Sequence, residues 1–144
     1  MYALTLWPEW AYAITDLGKR VENRTWTRES MLGQDMAIHA GAKIGGSGGV
    51  SQGLLQVEWM NPDRFKGPVK AEDITTSAIV AVARVASFVQ DPRIPWAAKG
   101  QWQWVLDNMR VLSEPVSCSG RQGLWKVSAE QWEQILPRLG KRES

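Results

Sequence analysis

Lys19, Glu22 and Arg24 stand close enough along the chain for one carboxylate to lie between two cations, an arrangement that keeps Glu22 ionised. As a binding set, Glu22 accepts from an exocyclic amine or ring N–H, and Lys19 donates to a carbonyl or phosphate. As a catalytic set, Lys19 is activated by desolvation, Glu22 handles protons, and His39, the only imidazole, assists. The alternative for the three charges is a structural salt bridge, and for His39 a hydrogen-bonded structural role.

Aromatic side chains are the second resource. Nine tryptophans against two Phe and two Tyr is an unusual balance, and indoles both stabilise cores and line ligand sites. Trp7, Trp26, Trp104 and Trp125 are the stacking candidates, whereas Trp10 and Trp132 lie on helical apolar stripes. Pro8, Lys43, Gln122 and Gly123 complete the expected ligand-binding set, with Lys43 as a phosphate contact and Gln122 and Gly123 as readers of a base edge. A surface lysine and a plain turn are the bland readings of these last three.

Composition narrows the partner. Seventeen basic and fifteen acidic side chains leave a net charge of +2, far from the basic excess that grips long nucleic acid by its phosphates. The 144 residues suit a single domain, the lone Cys118 precludes an internal disulfide, and no charged leader or long apolar span is visible. The expectation is a cytoplasmic protein with no membrane association. A zinc site lacks clustered His and Cys ligands, so no metal or other cofactor is expected, although a magnesium held by carboxylates would leave little sequence signature.

Periodicity supplies the elements that position these residues. Thr5–Trp7 closes a short strand; Pro8 opens a helix over residues 8–17, with Trp10, Ala11, Ile14 and Leu17 on one face and Gly18 as its cap. From Arg20 to Trp26 the period changes to two, placing Arg20, Glu22, Arg24 and Trp26 on one face. Met36–Gly41 is a second strand and Ser77–Val89, apolar and β-branched, the central one. Trp102, Trp104 and Leu106 share a strand face, with a bulge or turn at Asp107-Asn108 before a second piece at 110–112. Turn and strand follow over 120–125, then a helix capped by Ser128 and Gln131 and ended or kinked by Pro137. A flexible glycine-rich loop at 45–49, a helix over 51–60 ending before Asn61-Pro62, and a short C-terminal tail at 140–144 complete the reading.

Two motifs are set aside. Gly45-Gly46-Ser47-Gly48-Gly49 fits a nucleophile elbow, but the chain is short for that hydrolase fold and its only histidine precedes the serine. Gly41–Ser47 has the glycine spacing of a phosphate loop, with Ser47 where lysine is needed.

The Trp-Pro-x-Trp-Ala opening at Trp7, the Gly-Lys-x-x-Glu-x-Arg-x-Trp stretch from Gly18, the Ile-His-Ala-Gly-x-Lys strand from Ile38 and the closing Gln-Gly-Leu-Trp at Gln122 together resemble the ASCH family of PUA-like proteins. The resemblance implies an α+β fold, a small mixed β-barrel of five or six strands with two or three flanking helices, and a cleft between barrel and helices. It also implies RNA binding, or binding of a modified nucleobase, nucleoside or nucleotide. An enzyme of the same fold, a ribonuclease or an amidohydrolase acting on a modified pyrimidine nucleoside such as N4-acetylcytidine, is the alternative, and a protein-interaction module is another. In the amidohydrolase branch a threonine nucleophile stands three residues after the signature lysine. Here that position is Glu22, which argues against that mechanism.

Overall fold

The structure is a computed structural model that describes residues 1–45 and 71–143. The glycine-rich loop beyond Gly45, the helix expected over 51–60 and Asn61-Pro62 lie outside the described residues. Among the described residues there are six strands: β1 (Tyr2–Leu6), β2 (Val21–Arg24), β3 (Asp35–Ala40), β4 (Ala78–Val89), β5 (Trp102–Ser117) and β6 (Leu124–Lys126). Helix α1 (Pro8–Asp16) follows β1, and α2 (Ala129–Ile135) follows β6.

The strands form one sheet in the order β2-β5-β4-β3-β1-β6, curled into a half-barrel of the small α+β, PUA-like kind. Every pairing is antiparallel except β1 with β3, whose parallel register sets Thr5 beside His39 and Leu6 beside Ala40. Curvature has a visible origin in the long β4–β5 pair, where the register shifts three times; each bulge sharpens the local twist and bends the ribbon.

Both faces of the central strands are covered. Leu4, Leu6, Met36, Ile38 and Ala81 pack on one side with Ala11 and Ile14 of α1, while Ala3, Ala37, Ile79 and Val82 pack on the other with Ile135 of α2. This two-sided burial explains why β4 reads as a nearly continuous apolar run instead of an alternating one.

Several boundaries differ from the sequence reading. The strand expected over Arg20–Trp26 is limited to Val21–Arg24, so Trp26 lies beyond it. The two extended pieces at 101–106 and 110–112 are one strand, with Asn108 at φ 52° where two β5 residues oppose Ala83. The C-terminal tail is anchored: Gly140 N–H donates to Val111 O, Glu143 N–H to Met109 O, and the Arg20 guanidinium holds the Glu143 carboxylate. The last helix ends as expected near Pro137, which falls in a single 3-10 turn directly after α2. Among the described residues no helix is long and apolar enough to cross a membrane.

Ser128 caps α2 reciprocally with Gln131, as expected from the spacing. Ser128→Ala should lower stability by about 1 kcal/mol, and Ser128→Asp should retain most of it. Urea unfolding of the three chains checks this; equal midpoints for Ser and Ala would show that the cap does not limit stability.

Candidate functional site

A cleft of about 1010 Å³ opens at the carboxyl ends of the parallel strands β1 and β3. On one side the chain leaves β1 through Thr5, Leu6, Trp7 and Pro8; on another it leaves β3 through Gly41, Ala42 and Lys43. Glu22, Asn23 and Arg24 of β2 form the facing wall, and the turn at 119–123 forms the remaining one. The two exits lie close together, since Gly41 N–H donates to Leu6 O at 2.8 Å and a Cβ at Gly41 would be 3.2 Å from that oxygen.

The charged set assembles around Glu22. Lys19 Nζ is 3.0 Å from Glu22 Oε1, and Arg24 Nη2 is 3.0 Å from Glu22 Oε2. Gly18, at φ 78°, ends α1 and turns the chain so that Lys19 points inward, 4.8 Å from the centre of the Trp10 ring. Arg24 also donates to Thr5 O at 2.8 Å, a bond that runs from edge strand β2 to β1 on the far side of the sheet order. Glu22 and Arg24 face the cleft, whereas Lys19, only 2% exposed, supports Glu22 from outside its lining.

His39 is likewise buried, and its hydrogen bonds fix its tautomer. The Cys118 carbonyl, 2.9 Å from Nε2, can only accept, which places the ring proton on Nε2. Nδ1 then accepts from the Thr5 hydroxyl at 3.1 Å, and Thr5 Oγ1 in turn accepts from Trp125 Nε1–H at 2.8 Å. Burial pulls the imidazole below its usual 6.5, only partly offset by the Cys118 carbonyl. Gly120 covers this group so closely that a Cβ there would meet the His39 ring at 2.3 Å.

Of the residues singled out from the sequence, Trp7, Pro8, Glu22, Arg24, Lys43, Gln122 and Gly123 therefore meet at one cleft. Lys19 and His39 do not line it. Nor do three of the indoles: Trp104 is fully buried, donates to Trp26 O and packs edge-on against the Trp26 ring, and Trp125 is held by Thr5 and His39. Trp7, 43% exposed, is the stacking candidate of the four that the cleft keeps.

Sequence reasoning missed Thr5, Asn23, Gly120 and Arg121, which also line the cleft, and it missed Glu9. Glu9 is fully buried in the first turn of α1, and its Oε2 accepts from Gly45 N–H at 2.9 Å, tethering the segment that carries Lys43. Asn23 links β2 to the turn before β5 by donating to Trp96 O and accepting from Ala98 N–H and Gln103 Nε2. An Asn inside a strand was the available signal for Asn23, whereas Glu9 reads as an ordinary first-turn acid. Among the described residues no group of three or more His, Cys, Asp or Glu could hold a metal ion.

No protein-family profile and no curated protein matches the chain. Solved structures do. An ASCH protein from Zymomonas mobilis matches with a TM-score of 0.57 at 15% identity, covering 97% of this chain and 96% of that one. A tyrosine-to-phenylalanine variant of the same protein matches equally well at 14% identity over 96% and 98% of the two chains. The chain thus has the ASCH fold that its motifs pointed to.

The His39 geometry sets a pH dependence. An unfolded chain protonates its imidazole near 6.5, the folded one only at lower pH. Between those values the unfolded state binds more protons, so this residue's contribution to stability is present at neutral pH and is lost as pH falls below about 6.5. His39→Gln should remove that part of the decline, measured by urea unfolding from about pH 7 to 5. Parallel curves for the two chains would contradict a neutral buried imidazole.

Proposed function

We propose that the cleft binds a nucleobase-containing ligand: a free modified nucleobase, nucleoside or nucleotide, or a segment of single-stranded RNA. The observation that carries this reading is Trp7, a large indole left 43% exposed at the mouth of a cleft whose facing wall is the Glu22–Arg24 pair. An indole in that position offers a face for a base, and base–aromatic stacking contributes about 1–3 kcal/mol. Lys43 and Arg121, both exposed at the rim, supply charge for a phosphate. A volume near 1010 Å³ suits a compact ligand, as does a net charge of only +2.

The hydrolase alternative draws less support from the geometry. Lys19 nitrogen is engaged by Glu22 behind the cleft wall, and both His39 nitrogens are taken. Binding without turnover is the simpler use of this arrangement. The same reading takes the chain as one cytoplasmic domain.

Trp7→Ala should weaken nucleoside binding roughly 5- to 100-fold, while lowering the unfolding midpoint less than loss of a core tryptophan would, because the residue is 43% exposed. Affinity for a free nucleoside should also vary little between low and moderate salt, unlike binding that tracks a phosphate backbone. Calorimetric titration at two salt concentrations measures both. Undiminished affinity in the Trp7 variant would remove the main support for this reading.

A further inference from the structure

We infer that the cleft is built for a phosphate monoester, so that its ligand is a mononucleotide in preference to a bare nucleoside or a long strand, with Lys43 and Arg121 as the phosphate-holding pair. The inference rests on the base-binding reading and adds a charge class to it.

The cleft carries the net charge of the protein. Among the described residues that line it, the cations Arg24, Lys43 and Arg121 stand against one carboxylate, Glu22. That surplus of two positive charges equals the net charge of all 144 residues, so the fourteen basic and fourteen acidic side chains elsewhere cancel. A strand running out of the cleft therefore finds no further surplus for its phosphates, whereas a monoester, with about −2 charge at neutral pH, finds its counter-charge inside. Glu22 is already answered by Lys19 and Arg24. Lys43 and Arg121, both exposed, have no ion-pair partner among the described residues.

Each of these two cations sits within a short segment fastened on both sides. Before Lys43, Gly41 N–H donates to Leu6 O at 2.8 Å; after it, Gly45 N–H donates to the fully buried Glu9 carboxylate at 2.9 Å. Before Arg121, the Cys118 carbonyl accepts from His39 Nε2 at 2.9 Å; after it, Gly123 O accepts from Thr5 N–H at 3.2 Å. Ser77 joins the two segments, its N–H donating to Gly41 O and its carbonyl accepting from Cys118 N–H, both at 3.0 Å. It does so at φ 51°, a conformation that non-glycine residues rarely adopt and that persists where the surrounding structure imposes it. Fastened segments limit what binding must still order, and unpaired charges in a cleft act on an anion more strongly than the same charges on open surface.

The test is calorimetric titration at low and moderate salt with the four ribonucleosides, their 5′-monophosphates, inorganic phosphate and a short single-stranded RNA. The chains are the native one, Lys43→Gln, Arg121→Gln and, as a control, Lys126→Gln, which removes an exposed cation outside the cleft. At low salt at least one monophosphate should bind the native chain roughly ten-fold tighter than its own nucleoside. Each cleft variant should cut that ratio to about three-fold or less, Lys126→Gln should keep it, and added salt should shrink it. A nucleoside that binds as tightly as its monophosphate overturns the inference, as does an equal loss in the control and the cleft variants. So does an RNA that outbinds every mononucleotide by more than about ten-fold. Inorganic phosphate binding as tightly as the nucleotides would instead overturn the base-binding reading and leave the phosphate pair standing. Failure of every nucleoside and nucleotide to bind would overturn both.

Discussion

A carboxylate cannot be taken out of water without partners, and in this protein the carboxylate is Glu22. Its side chain is 7% exposed, with one oxygen on Lys19 and the other on Arg24. Removing a single partner of a buried pair leaves an uncompensated charge and costs about 3–5 kcal/mol, a large share of a typical domain's stability. The triad therefore fixes the relation of three elements. Lys19 is delivered by the glycine-capped end of α1, Glu22 by β2, and Arg24 reaches on to the backbone of β1. Because β2 and β1 are separated by three other strands in the sheet, that last bond holds the open side of the half-barrel together.

The cleft is what remains between those tied elements. Several of the polar groups that line it are engaged in holding it: Asn23 by the turn at 96–98, Glu22 by its two cations, and the Thr5 hydroxyl by His39. A ligand in this cleft would meet the exposed indole of Trp7 and the exposed cations Lys43 and Arg121 at the rim, beside a wall held by its own hydrogen bonds. Such preorganisation lowers the ordering cost of binding.

Much of this was legible before the structure. Lys19, Glu22 and Arg24 are spaced so that a capped helix end followed by a strand brings them together, and both signals, Gly18 and the change to period two, stand in the sequence. The α2 cap and the break near Asn108 were equally readable, because each depends on residues only a few positions apart. Thr5 was not. A lone hydroxyl in an apolar strand carries no local signal, and its role exists only because parallel pairing sets β1 against β3, 34 residues away. The indoles failed for a related reason: period two places Trp104 on a face, but whether that face meets ligand or core depends on the curl of the whole sheet. Glu9 looked like an ordinary first-turn acid until Gly45 was found against it.

The claim that unites these observations is that one ligand is held between the β1 and β3 exits and the β2 wall. Titrating an isotopically labelled sample with cytidine while following backbone amide resonances tests it most directly. The account requires the largest shifts at Thr5–Trp7, Glu22–Arg24, Gly41–Lys43 and Ser119–Gly123, the segments that surround the cleft. Shifts confined to α2 and the outer strand faces, or none at saturating nucleoside, would contradict it.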